Sequence, residues 1–178
     1  MFENTDTYTQ ISGVFVRICS ADHIELALKR NAPERPEARY NRRGQNALYL
    51  AVNEESARVA MRKYAKDIDT PLFLVKYEVE ACRLVDLRHQ DLCDYKDLAS
   101  QDWQSAIEKG YDPTSWQVAD LFRSNQEIGL IDPSRKDPEK WHVTLFRWNE
   151  IGAPKITIVS EPTPVYLNIF NPIITQPF

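Results

Sequence analysis

Trp141-His142-Val143-Thr144-Leu145-Phe146-Arg147-Trp148 alternates aromatic or apolar with polar side chains, the period-two pattern of a strand, and Lys155 to Ser160 resumes it after only Asn149 to Pro154. So short a link cannot hold the helical crossover that two parallel neighbours require. Strands and helices alternate irregularly along the rest of the chain. The expected class is therefore α+β, a mixed, mainly antiparallel sheet with flanking helices.

Upstream, Ile128-Gly129-Leu130-Ile131 is a short apolar strand that stops at Pro133. Gln101 to Lys109 and Thr114 to Gln126 have helical character, the second opened by Pro113 and closed before Gly129. Leu72 to Ala81 and Arg83 to Leu87 read as two strands, and Val14 to Cys19 as an earlier one, followed by a short helix from Asp22 to Lys29 that ends in the loop Asn31 to Pro36. Ala47 to Val52 is a further strand. Asn53 with Glu54 and Glu55 then starts a helix, the acids favoured by the positive end of its dipole. Ala57, Ala60, Met61 and Tyr64 follow at i, i+3, i+4, i+7 and share its inward face. From Glu161 onward Pro162, Pro164, Pro172 and Pro177 predict an extended path over the surface without regular structure.

The 178 residues fit a single domain, 1–178, with a core over about 14–160 and the proline-rich tail over 161–178. A net charge of −4 argues against broad phosphate neutralisation, so direct nucleic-acid binding is not expected, although a local basic pocket remains compatible with a small anion. Cys19, Cys82 and Cys93 are odd in number and lack paired spacings, and His23, His89 and His142 form no evident ligand cluster. The expectation is a reducing, cytoplasmic setting, no metal and no membrane span.

Chemistry-bearing side chains gather at strand ends. Arg17 interrupts an apolar strand, where a guanidinium is costly unless it meets an anion or a carboxylate. Arg39, Arg42 and Arg43 flank a loop that reaches Gly44; they read either as a phosphate grip or as solvated surface charge. Tyr40 and Tyr49 offer flat faces to a ribose or heterocycle, or else are core tyrosines. Ser134, in Asp132-Pro133-Ser134-Arg135, either presents its hydroxyl to a sugar or belongs to an ordinary turn.

In this order the pieces resemble the RES domain, a family of bacterial toxins named for arginine, glutamate and serine. They are Phe15-Val16-Arg17, then Ala38-Arg39-Tyr40-Asn41 with Gly44, Leu48-Tyr49, a helix, and Pro133-Ser134-Arg135 before an apolar strand, together covering about Val14 to Trp148. The resemblance implies an ADP-ribosyltransferase-like fold that takes NAD⁺ as substrate and breaks its nicotinamide glycosidic bond, passing ADP-ribose to water, phosphate or a protein. It also implies that Arg17 and Arg39 grip the pyrophosphate or ribose side, with Tyr40 beside them, that Tyr49 lines the nicotinamide end, and that Ser134 bonds the nicotinamide ribose. A cognate antitoxin or an immunity protein is the implied partner.

One family residue is missing: the glutamate expected on the helix after Leu48-Tyr49 falls on Ala60. The catalytic set on this reading is Arg39, position 60 and Ser134, with the acid absent. Either a natural member has lost catalysis, or a deliberate Glu→Ala exchange has disarmed a toxic enzyme; the intact flanking frame favours the second. Two other readings stand beside the enzyme: an inactive NAD⁺ or ADP-ribose-binding module, and an interaction domain without a small-molecule site.

Overall fold

The long strands β1 (Tyr8–Ser20) and β3 (Leu72–Asp86) form the backbone of the molecule, paired antiparallel from Tyr8↔Val85 to Ser20↔Leu72. The computed structural model describes residues 5–61, 71–135, 137 and 139–166. Sequence alternation breaks in β3 because Glu80 and Ala81 are both exposed, and there the register with β1 shifts between Ile11 and Gly13. Gly13 sits at φ 100, a value side chains with a Cβ rarely adopt. The extra residue explains why two strands were expected over Leu72 to Leu87 where one continuous strand runs.

Between β1 and β3 lie α1 (Ala21–Leu28), β2 (Leu48–Ala51) and α2 (Glu54–Met61). After β3 come α3 (Cys93–Ser100), α4 (Trp103–Glu108) and α5 (Thr114–Ser124). The strands β4 (Gly129–Pro133), β5 (Trp141–Leu145), β6 (Ile156–Ile158) and β7 (Thr163–Val165) complete the chain. The pairings β1–β2, β2–β5, β5–β4, β4–β3 and β3–β1 form a closed circuit, with β6 and β7 added along β3. Among the described residues only β3–β4 is parallel, so the expected mixed, mainly antiparallel α+β class is borne out.

β5 ends at Leu145 rather than Trp148, and β5 and β6 pair with different strands. Asn149 carries the chain between them, its side chain donating to the Ile156 carbonyl and accepting the Ile156 N–H at 2.7 Å. Two further elements differ from expectation. α3 went unforeseen. The tail, expected to lack regular structure, pairs Thr163–Val165 with Leu72–Leu74 before residues 167–178, which lie outside the described residues, as does Tyr64 on the proposed helix face.

Three apolar clusters hold the layers. Phe15, Leu50, Tyr77, Leu145 and Trp148 belong to the central one; Leu87, Val118, Phe122 and Leu130 join α5 to the sheet; Ile18, Ala57 and Leu74 seat α2 against β1 and β3. β4 and β5 come together at Gly129, where an added Cβ would lie 2.2 Å from the Thr144 carbonyl oxygen and 2.9 Å from Leu145 Cα. Both are backbone atoms and cannot turn aside. Gly129→Ala is expected to destabilise the fold by at least about 1–3 kcal/mol, read as a lower denaturant midpoint at unchanged slope.

Candidate functional site

One row of paired residues, Val16↔Ala51↔His142↔Asp132, crosses β1, β2, β5 and β4. Side chains two apart on a strand share a face, so Tyr49 and Thr144 join the same surface as Ala51 and His142. These residues line a cavity of about 360 Å³ that is walled by α2 through Ala57, Ala60 and Met61 and by the loop residues Ala38, Arg39 and Tyr40. Such a volume falls within the roughly 300–1,000 Å³ of small-molecule clefts. Arg17, Arg39, Tyr40, Tyr49, Ala60 and Ser134 all lie on this one cavity.

The loop before β2 is tied down by its own side chains. Asn41, 1% exposed, donates through Nδ2 to the carbonyls of Pro36 and Arg42, and its Oδ1 accepts from the Tyr49 hydroxyl at 2.8 Å. That hydroxyl also accepts the Tyr40 N–H, so Tyr49 locks the loop as well as lining the cavity. The N-terminal turn of α5 clamps the same loop, Trp116 Nε1 donating to the Ala38 carbonyl and the Ser115 hydroxyl to that of Arg39. Tyr40 stacks on Tyr49 with centroids 6.5 Å apart. Tyr40 is thus a core residue and a wall of the cavity at once.

Arg39 enters with its donors largely engaged. Nε and Nη2 donate to the Ala99 carbonyl at 2.9 and 2.7 Å, Nη1 pairs with the Asp132 carboxylate, and the guanidinium lies 5.0 Å from the Tyr40 ring centroid. The Asp132 side chain is 3% exposed. Burial raises the Asp132 pKa above the usual carboxylate range, while Arg39 and His142 act in the opposite direction. Arg17 differs: its backbone is in the β1–β3 ladder, but among the described residues its guanidinium has neither a hydrogen-bond nor an ion-pair partner, although it is only partly exposed. A ligand anion therefore meets its charge without first displacing a carboxylate.

Ser134, 5% exposed, receives the Asp137 N–H on its hydroxyl at 3.3 Å. Tyr40 and Thr144 also belong to the lining with their hydroxyls buried; the Tyr40 hydroxyl acts on the Asp132 carboxylate, holding its pKa down against burial.

Arg42 and Arg43 do not join the site. Arg42 pairs with Asp112 and Asp120 over the Trp116 ring, and Arg43 stands 3.7 Å from Glu37. Glu54 and Glu55 are exposed in the first turn of α2, as expected. The sequence reading missed Asp132 as a cavity residue, together with Trp103, Arg135, His142 and Thr144. The alternation of β5 signals His142 and Thr144, but which face points at the cavity follows only from the pairing. Among the described residues no group of His, Cys, Asp and Glu is placed to hold a metal ion, and no helix is long and apolar enough to cross a membrane.

Residues 14–168 match the family described as the RES domain, and the chain belongs to that family. Its fold is similar to that of a chain in the crystal structure of the M. tuberculosis MbcT-MbcA toxin-antitoxin complex, with a TM-score of 0.62 and 15% sequence identity over 90% of this chain and 87% of that one. The mixed sheet with flanking helices agrees with the ADP-ribosyltransferase-like architecture that the family resemblance implied. No curated protein matches the sequence.

Proposed function

We propose that the cavity binds NAD⁺ and that the parent activity is cleavage of the bond between nicotinamide and ribose, the step shared by hydrolysis, phosphorolysis and ADP-ribosyl transfer. The observation that carries this reading is the convergence of Arg17, Arg39, Tyr40, Tyr49, Ala60 and Ser134, from separate segments, on one cleft. Arg17 holds the pyrophosphate as a free cation. Arg39 shapes the wall through Asp132 and Ala99 and keeps donor capacity for a ribose or phosphate oxygen. Tyr49 and Tyr40 present ring faces, and Ser134 accepts or donates at the nicotinamide ribose.

Loss of nicotinamide leaves positive charge developing at the ribose C1, and a fixed negative charge nearby stabilises it. Ala60 supplies none, and the Asp132 carboxylate is engaged by Arg39. The chain with alanine at position 60 therefore binds the dinucleotide and turns it over poorly. In this reading the parent is a cytoplasmic toxin restrained by an antitoxin or immunity protein, a setting favoured by the family and by the fold shared with the toxin-antitoxin complex. The second reading, an NAD⁺ or ADP-ribose-binding module without chemistry, is favoured by Ala60 itself.

Titration calorimetry tests the binding. NAD⁺ is expected to give a saturable heat, and Arg17→Ala to weaken it by about 10–100-fold, because a hydrogen bond to a charged group contributes about 1.5–3 kcal/mol. A parent protein with neither heat nor thermal stabilisation by NAD⁺ would remove the reading.

A further inference from the structure

The chain has four tryptophans, and packing accounts for three of them. Trp116 is buried, donates its Nε1–H to the Ala38 carbonyl and carries the Arg42 guanidinium on its ring. Trp148 is fully buried, donates to the Leu28 carbonyl and carries Arg35. Trp141 packs edge-on against Phe15 and lies beneath Arg88. Trp103 differs on every count. It is partly exposed and belongs to none of the three apolar clusters, and among the described residues its indole has neither a hydrogen bond nor a ring contact. What it has instead is a place in the wall of the cavity of about 360 Å³.

The mount beneath this ring is stiff. Trp103 is the first residue of α4, and Asp102 caps that helix, accepting the Ser105 N–H on Oδ1 and the Ser105 hydroxyl on Oδ2 at 2.8 Å. Just upstream, Thr114 donates to the Leu98 carbonyl, Arg39 to that of Ala99, and Arg135 to that of Gln101 at 3.4 Å. Arg39 and Arg135 themselves line the cavity, so its own walls hold the segment that carries the indole. A side chain with two χ angles on a fixed backbone loses little freedom when a ligand meets it. The two tyrosine rings of the lining are already engaged: Tyr40 stacks on Tyr49 and carries Arg39.

We propose that Trp103 is a specificity-determining residue of the cleft, its indole face stacking on a planar nitrogen heterocycle of the ligand. The inference rests on the NAD⁺ reading, under which that ring is either the adenine or the nicotinamide. Both are flat, and stacking holds either without reading its hydrogen-bonding edge. A cleft so equipped favours a ligand that carries a base over a bare sugar phosphate.

Titration calorimetry with NAD⁺ compares the parent with Trp103→Leu and Trp103→Phe. Leucine keeps apolar bulk without a π face and is expected to weaken binding about 5–150-fold, the effect of losing one base–aromatic stack. Phenylalanine keeps the face and should restore most of the affinity. Both variants should keep the parent's Tm, because Trp103 supports no apolar cluster. Two half-ligands identify the ring: ADP-ribose carries only adenine and nicotinamide mononucleotide only nicotinamide, and leucine should weaken the one whose base is stacked. A stacked base also quenches indole fluorescence, so quenching by NAD⁺ should be lost in Trp103→Phe although three tryptophans remain. A leucine variant that binds NAD⁺ as its parent does, or a phenylalanine variant quenched in full, overturns the role of Trp103 and leaves the NAD⁺ reading standing. A parent that gives no heat with NAD⁺ removes both.

Discussion

Ala60→Glu is expected to convert a protein that holds NAD⁺ into one that consumes it, with nicotinamide release rising about 10²–10³-fold. That is the size of effect from one fixed charge or dipole placed where charge develops in a water-poor site. α2 places residue 60 on the cavity, beside Ala57 and Met61 and in the same cleft as Arg17 and Ser134. A carboxylate there loses part of its hydration, so the variant should be less stable than its parent even as it gains turnover, the familiar opposition of stability and function. Ala60→Gln has a similar shape without the charge and should remain inert. The measurement is nicotinamide release under saturating NAD⁺, with binding followed in parallel. If the glutamate variant binds NAD⁺ as its parent does and releases no more nicotinamide, the catalytic half of the proposal fails while the binding half survives.

Asp132→Ala is expected to lower stability by about 3–5 kcal/mol, the cost of removing one partner from a buried ion pair. For a chain of this length that is a fall in Tm on the order of 10 °C. The loss arises on the side of Arg39, whose 14%-exposed side chain would keep the Ala99 carbonyl and the Tyr40 ring but no counter-charge. Asp132→Asn retains an acceptor and should fall between. A double-mutant cycle with Arg39→Met isolates the pair: the double variant should be markedly more stable than the sum of the two single losses. Simple additivity would show that the two residues do not act on one another.

The elements that sequence placed best are those whose periodicity is long or punctuated. α2 shows both an inward face at Ala57, Ala60 and Met61 and acids at its start, and β4 runs apolar until Pro133 stops it. α3 is harder to read because it is short: Leu92, Tyr95, Leu98 and Ala99 do stand at helical spacing and join one apolar cluster, but the stripe spans only two turns among charged residues, and part of its support is the contact of Tyr95 with Phe122, 27 positions away in α5. The split reading of β3 came from two adjacent exposed residues at a bulge, which local alternation cannot distinguish from a turn. At the cavity, Arg17, Arg39 and Ser134 stood out because a charge or hydroxyl at a strand end is conspicuous. Asp132 lies two residues before Ser134, but its pairing with Arg39 spans 93 positions and becomes visible only once β4 and the loop before β2 are brought side by side.

A ring of strands gives way first at its thinnest seam. β1 meets β3 through an almost continuous ladder from Tyr8 to Ser20, whereas it meets β2 at the single pair Val16↔Ala51, and both of those residues border the cleft beside Arg17. The least-riveted joint of the barrel is thus also the rim of its hollow, so amide exchange should run fastest there and, if the proposed ligand enters, slow when the hollow is filled.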